Sequence, residues 1–310
     1  MASEHQRLSR RAFMGESLLA SGAGAVAGLG LEGLAADARA AQPPAHPSAG
    51  TPHKGLPCGT IGKLKISRLI CGGNLFAGSA HSRNLIYVAA LMQKYFTPEK
   101  IMDTLELCEA NGVNTAVMRC DQHIIGVLDR YRKERGGKIQ WIAQTYPTAT
   151  ELTNVKLAID NGAVAVFPQG GVGDQLVGAG KLDALGKVIS FVRQNGLAAG
   201  VGSHSLDTPK AVEKHGLAPD FYFKTCNNVG YNSQEPREIA EFMKTVQRPW
   251  IAFKVLGAGV VKPRDGFSLA LGMGADFMAV GMFDFQVQED VKIVAELLSG
   301  DLKRQRPWRS

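Results

Sequence analysis

From Arg68 onward, short runs of apolar residues alternate with longer stretches in which apolar positions return every three to four residues. The short runs are Arg68 to Gly72, Asn114 to Met118, Gln140 to Gln144, Ala163 to Phe167, Ala198 to Ser203, Phe221 to Cys226, Trp250 to Leu256 and Phe277 to Met282. They show no apolar–polar alternation, as expected of strands covered on both faces. The stretches between them read as helices. Thr97 to Ala110 gathers Ile101, Leu105 and Cys108 on one stripe, and Val287 to Leu298 is the eighth helix. Thr97-Pro98 and Thr208-Pro209 each put a capping hydroxyl before a proline at the first helical position. Gly112, Gly162, Gly196, Gly216 and Gly274 stand just before strands, where a left-handed stop residue costs least. Eight such units predict an α/β chain folded as a (β/α)8 TIM barrel, one domain over residues 59–300. No G-x-G-x-x-G follows a strand, so the open dinucleotide-binding sheet lacks its fingerprint.

Successive side chains of a strand point to opposite faces. Ile251, Phe253 and Val255 therefore share one face, and Ala252, Lys254 and Leu256 the other. Phe221, Phe223 and Thr225 oppose Tyr222, Lys224 and Cys226 in the same way. With the apolar sets packed outward, Lys224 and Lys254 are expected to project into the barrel interior. A lysine taken out of water loses the hydration of its ammonium, and a second ammonium alongside lowers its pKa further. Such an amine can attack a carbonyl and form a Schiff base. Neutralisation by acids such as Asp121 or Asp284, or a clamp on a substrate phosphate or carboxylate, is the other use of such a pair.

Barrel active sites lie at the carboxyl ends of the strands, which supplies the remaining candidates. His204, directly after Ser203, is the candidate general acid or base, and Asp121 a second proton-transfer group. Asn74, Arg119, His123, Gln144, Gln169 and Asn228 are candidate substrate contacts, with backbone N–H groups at Gly257 and Gly259. No metal site is expected, because His81, Asp121, His123 and His204 lack ligand spacing on one element. Gly73 to Phe96, between the first strand and the first helix, is far longer than usual connections. It reads equally as a rim insertion or as a lid.

The amino terminus reads as an address. Ser9-Arg10-Arg11-Ala12-Phe13-Met14, the Gly/Ala-rich run Ser17 to Leu34 and Ala38-Arg39-Ala40 match a twin-arginine signal peptide over residues 1–40. Gly and Glu32 interrupt that run too often for a membrane span. Residues 41–58, rich in Pro and Ala, read as a flexible linker. Export machinery is thus an expected partner, with a periplasmic or otherwise exported destination and no span after cleavage. A net charge of +7 is spread along the chain apart from Lys303 to Arg309, so residues 301–310 read as a solvated basic tail and nucleic acid is not an expected partner. The odd count of five cysteines contains no C-x-x-C pair and resembles no disulfide framework.

Two family resemblances bear on chemistry. Asp220-Phe221-Tyr222-Phe223-Lys224-Thr225 and Phe253-Lys254-Val255-Leu256-Gly257-Ala258-Gly259 resemble the two-lysine strands of deoxyribose-phosphate-type class I aldolases. That likeness implies a Schiff base at Lys224, tuned by Lys254. Cys226-Asn227-Asn228-Val229-Gly230 departs from the small Ser/Thr-Gly stretch of that family. Gly59 to Leu69 is similar to the amino-terminal hairpin and first strand of aldo/keto reductases, and Gly112-Val113-Asn114-Thr115-Ala116 to their second strand. These imply a barrel that reduces carbonyls with a nicotinamide cofactor. The Asp, Tyr, Lys, His tetrad is missing: Asn114 stands at the aspartate position, Gln144 near the lysine, and Phe167-Pro168-Gln169 at the histidine. The leading expectation is an exported barrel enzyme with lyase or isomerase chemistry on a small carbonyl or sugar-like substrate and no cofactor. The alternatives are a nicotinamide-dependent oxidoreductase and a non-catalytic barrel that binds a carbohydrate or a partner.

Overall fold

The computed structural model describes residues 55–79 and 85–310. The signal peptide, most of the linker, His81 and Arg83 lie outside the described residues.

A two-residue turn at Gly62-Lys63 folds β1 (Cys58–Ile61) antiparallel onto β2 (Leu64–Ser67). Strand pairing thus begins at Cys58, inside the expected linker. Eight parallel strands follow in chain order: β3 (Leu69–Gly72), β4 (Thr115–Arg119), β5 (Gln140–Thr145), β6 (Ala165–Pro168), β7 (Ala198–Ser203), β8 (Phe221–Thr225), β9 (Trp250–Phe253) and β10 (Phe277–Val280). The barrel closes where Met278, Ala279 and Val280 of β10 pair with Leu69, Ile70 and Cys71 of β3. All eight expected strands are present, and the fold is the expected (β/α)8 barrel. Outside it lie α1 (Val88–Tyr95), α2 (Pro98–Ala110), α3 (Gln122–Arg135), α4 (Thr153–Asp160), α5 (Gly170–Gly178), α6 (Leu182–Gln194), α7 (Asp207–Lys214), α8 (Pro236–Thr245), α9 (Pro263–Met273) and α10 (Val287–Ser299).

The five stop glycines all adopt left-handed backbone, as expected. Thr97 accepts from the Lys100 N–H (3.2 Å) and caps α2. Thr208 does not cap; it sits inside α7 and donates its hydroxyl to Asp174 (2.7 Å). The long first connection is part helix, because α1 occupies its last third and buries Met92.

Two apolar layers share each strand. Ile70, Val117, Ile142, Phe167, Phe221, Phe223, Ile251, Phe253 and Phe277 fill the barrel, and Phe223 and Phe253 stack at 4.2 Å. Tyr222, Cys226, Trp250 and Ala252 face the helices. β7 explains this choice of face. Its inward positions are Ala198, Gly200 and Gly202, and a Cβ on Gly200 would collide with the Phe221 ring. The small residues leave a space that the β8 phenylalanines fill.

Ile61 and Ile66 join the interior cluster, so the β1–β2 hairpin closes the amino-terminal end of the barrel. The basic tail packs onto this base, against the expectation of a solvated tail. Arg306, 2 % exposed, reaches Asp276 (3.2 Å) and the carbonyls of Gly274 (3.2 Å) and Arg248 (2.9 Å). Arg304 donates to the carbonyls of Leu271 (3.1 Å) and Ala275 (2.9 Å), and its guanidinium lies 3.3 Å from the Trp308 ring centroid. Asp276 is fully buried and also accepts from the N–H groups of Trp250 (2.9 Å) and Arg309 (2.7 Å). A buried carboxylate and the unpaired carbonyls at the end of α9 need donors, and the tail supplies them.

Candidate active site

At the carboxyl end of the strands the barrel opens into a cavity of about 310 Å3. Its walls are mainly apolar, with Leu75, Met92, Val117, Phe223, Phe253 and Phe283 among them. Lys254, Asn74, Gln144 and Tyr231 bring polar atoms to it. Of the sequence-predicted residues, Lys254, Asn74, Gln144 and Gly259 line this cavity.

Lys254 arrives there by a backbone turn. Strand alternation would send it after Ala252 to the helix side, but β9 ends at Phe253 and Lys254 takes φ 57°. A lysine in the left-handed region carries strain, which persists only where the surroundings enforce it. The enforcing turn is Lys254 to Val261, in which Gly257 N donates to Lys254 O (2.9 Å) and Gly259 N and Val261 N to Leu256 O (2.9 and 3.0 Å). Gly257, Ala258 and Gly259 also have positive φ. Gly257 is buried in this turn and serves the backbone; the cavity is lined by its neighbours Ala258 and Gly259. The Lys254 ammonium lies 4.4 Å from the centroid of the Tyr231 ring, an arrangement that favours a cation, while burial lowers its pKa.

Tyr231 escaped the sequence reading, and so did the device that places it. Asn227 accepts from the N–H groups of Val229 (3.2 Å) and Tyr231 (3.0 Å) and donates to Tyr231 O (2.9 Å), which folds the loop after β8. Asn227 thereby shapes the loop, and the predicted contact Asn228 is exposed on it.

Lys224 is not in the barrel interior, contrary to expectation. It shares the face of Tyr222 and Cys226, is fully buried, and its ammonium donates to His204 O (2.8 Å), Thr225 Oγ1 (2.9 Å) and Thr225 O (3.2 Å). Burial pushes its pKa down to about 8, against the opposing pull of Cys226 and Asp174. Neither lysine owes its shift to the other ammonium: burial is the cause at both. The mutual tuning expected of a pair is therefore not what acts here.

His204 stands on a built platform. Its Nδ1 lies 3.2 Å from Asp174 Oδ2, and the same carboxylate accepts from its backbone N–H (2.8 Å) and from Thr208. Burial would raise the Asp174 carboxyl, but the bonds from His204 and Thr208 outweigh it and hold it below the usual range. The His204 ring packs against Phe253 at 5.5 Å between centroids; Phe253 lines the cavity and His204 does not. Asp174 also went unpredicted. The signal for it was present in the glycines: a Cβ on Gly173 would strike Gly202 O and one on Gly170 the His204 ring, so α5 approaches β7 as only glycine allows.

Four predicted site residues, Arg119, Asp121, His123 and Gln169, stand apart from the cavity lining. Asp121 caps α3 by accepting from Ile124 N (2.9 Å) and pairs with Arg119, and His123 is exposed in the first turn of that helix. Gln169 caps α5 by accepting from Val172 N (3.1 Å). Asn114 lies at the base, bonded to Ser67 N (2.9 Å) and Lys65 O (3.0 Å). The β4 side chain that enters the cavity is Val117, so that strand brings no carboxylate to it. Among the described residues no group of three His, Cys, Asp or Glu side chains is placed to hold a metal, and no helix is long and apolar enough to cross a membrane.

Fold and cavity together define a (β/α)8-barrel protein with an amine at its mouth. No family model matches the chain, and a search of curated proteins finds no relative. Among solved structures, one described as "Putative aldo-keto reductase from Pseudomona aeruginosa" is similar at 16% identity and TM-score 0.58, covering 78% of this chain and 94% of that one. A 7,8-dihydropteroate synthase from Vibrio fischeri ES114 is similar at 11% identity and TM-score 0.46, covering 79% and 99%. At such identities the likeness is one of fold.

Proposed function

We propose that this protein is an exported barrel enzyme that acts on a small carbonyl compound through Lys254. The observation that carries the reading is a lysine turned by a left-handed backbone into an apolar cavity at the mouth, its pKa lowered by burial. Dehydration raises the share of neutral amine, which can attack a carbonyl carbon. Asn74 and Gln144 can orient the substrate oxygen by hydrogen bonds. Proton transfer is assigned to His204, steadied by Asp174 and separated from the cavity lining by the Phe253 ring, so that it acts through water rather than by direct contact. The iminium formed with loss of water would draw electrons from the neighbouring bond, as lyase and isomerase chemistry requires. Lys224 is assigned a supporting part, since it ties the His204 carbonyl to β8.

Hydride transfer from a nicotinamide lacks the strand-end proton donors that the aldo/keto reductase likeness implies. Val117, Gln144 and Phe167 are the inward residues toward the ends of β4, β5 and β6, and none of them donates a proton at neutral pH. No step is derived through that cofactor.

Borohydride trapping with a panel of aldehydes and ketones tests the reading. The expected result is a reduced adduct on Lys254, absent in Lys254→Ala and Lys254→Arg. An adduct on Lys224, or none on either lysine, would overturn it, and ligand binding that survives Lys254→Ala without turnover would favour the non-catalytic barrel. Export rests on the residue 1–40 pattern; a chain with Arg10→Lys and Arg11→Lys should stay in the cytoplasm uncleaved, and unchanged processing would refute it.

A further inference from the structure

Apart from Trp308, the exposed large apolar side chains of the described residues belong to segments that leave the carboxyl ends of the strands. Phe285 continues the cavity wall outward by stacking, and Leu91 and Val260 each stand next in sequence to a lining residue. Phe285, 60 % exposed, stacks at 5.3 Å on Phe283, which lines the cavity. Leu91, 59 % exposed, follows a helix turn from Tyr87 and precedes Met92, which reaches inside. Val260, 50 % exposed, follows the lining residue Gly259. An apolar rim joined to an apolar cavity is surface that folding left wet, and its dehydration is available to a ligand. Of the polar groups that line the cavity, Lys254 and Gln144 are half-buried and Asn74 is exposed.

We infer that the substrate is an amphiphile: a carbonyl head seated at Lys254, and an alkyl or isoprenoid-like chain longer than the cavity that leaves it across Phe285, Val260 and Leu91. The inference rests on the functional reading for its head group and on the rim for its tail, and the two parts can fail separately. A small sugar would leave the apolar walls and the rim unmatched, because Asn74 and Gln144 offer acceptors to only a few of its hydroxyls.

The test is a chain-length series on the whole protein, with butanal, octanal and dodecanal, and with butanol, octanol and dodecanol as partners that have no carbonyl. Affinity in both series should rise about fourfold per added methylene for as long as each methylene is buried, and it should continue to rise between octanal and dodecanal. Phe285→Ser, Val260→Ser and Leu91→Ser should weaken dodecanal most and butanal least. Equal affinities for octanal and dodecanal, or rim variants that weaken all lengths alike, would overturn the inference. So would self-association in sedimentation that the rim variants abolish while chain length has no effect, since a second copy would then be the occupant. A rising alcohol series with no aldehyde adduct would retain the tail and remove only the Lys254 chemistry.

Discussion

The two ends of this barrel treat buried charge in opposite ways. At the base, Asp276 gathers Arg306, the Trp250 and Arg309 N–H groups and the nearby Arg304, while Arg304 also covers carbonyls at the end of α9 and Arg306 reaches Arg248 O. At the mouth, burial lowers the pKa of both Lys224 and Lys254, and among the described residues neither ammonium forms a salt bridge with a carboxylate, although Asp174 pulls on Lys224 from a distance. Backbone strain divides the same way. The described non-glycine residues with positive φ are Asn232, Lys254 and Ala258, all in loops after β8 and β9. One end is arranged for stability and the other holds unfavourable states in place, as expected of a barrel whose chemistry sits on one face.

The largest effect should come from breaking the base. Asp276→Ala removes the carboxylate and leaves Arg306 buried beside carbonyls alone, a change that costs about 3–5 kcal/mol. Denaturant unfolding should show that loss, while adduct formation by the remaining folded protein stays unchanged. A loss below about 1 kcal/mol would mean that the tail is as weakly held as a surface ion pair.

Lys224 should show the mouth's contrary behaviour through pH. Its ordinary value is 10.5 and its folded value about 8. Below pH 8 it is charged in both states, and the folded state bears the cost of dehydration. Between about pH 8 and 10.5 the unfolded chain binds the extra proton, so stability rises with pH through that window. At ~1.4 kcal/mol per unit the gain is about 3 kcal/mol at most. Measured against Lys224→Met, the wild type should gain by that order across the window. A flat difference would show that the ammonium keeps its charge there.

How much of this could be read beforehand follows from the same physics. The barrel was legible because strands buried on both sides have no polar alternation and five of the helices are followed by a stop glycine just before a strand. That lack of alternation also hid which face is inward, so Phe221 and Phe223 were placed outside and Lys224 inside. The correcting sign was next door, in Ala198, Gly200 and Gly202, whose empty positions demand large neighbours. Lys254 reached the cavity as expected, yet by a left-handed turn that nothing about a lysine announces. The base was illegible for another reason: Arg68, Asp276 and Arg306 meet only after the barrel has closed. A basic run seen alone looks solvated. Asp121, expected as a proton-transfer group, and Gln169, expected as a substrate contact, are instead helix caps, because polar residues after strands serve as readily in that role.

The smallest prediction bears most directly on strain. Ala258 sits at φ 60°, ψ 37°, one position before Gly259 in the turn that aims Lys254. An L-residue there crowds its own Cβ against the backbone, whereas glycine does not. Ala258→Gly adds some freedom to the unfolded chain but relieves more than it adds, for a net gain of about 1 kcal/mol. The matching change in regular helix, Ala295→Gly within α10, should lose about 1 kcal/mol instead. Opposite signs for one substitution would locate the strain at the mouth. If Ala258→Gly also destabilises, its methyl contributes more to the cavity wall than its backbone costs, and the contrast between the two ends would rest on charge alone.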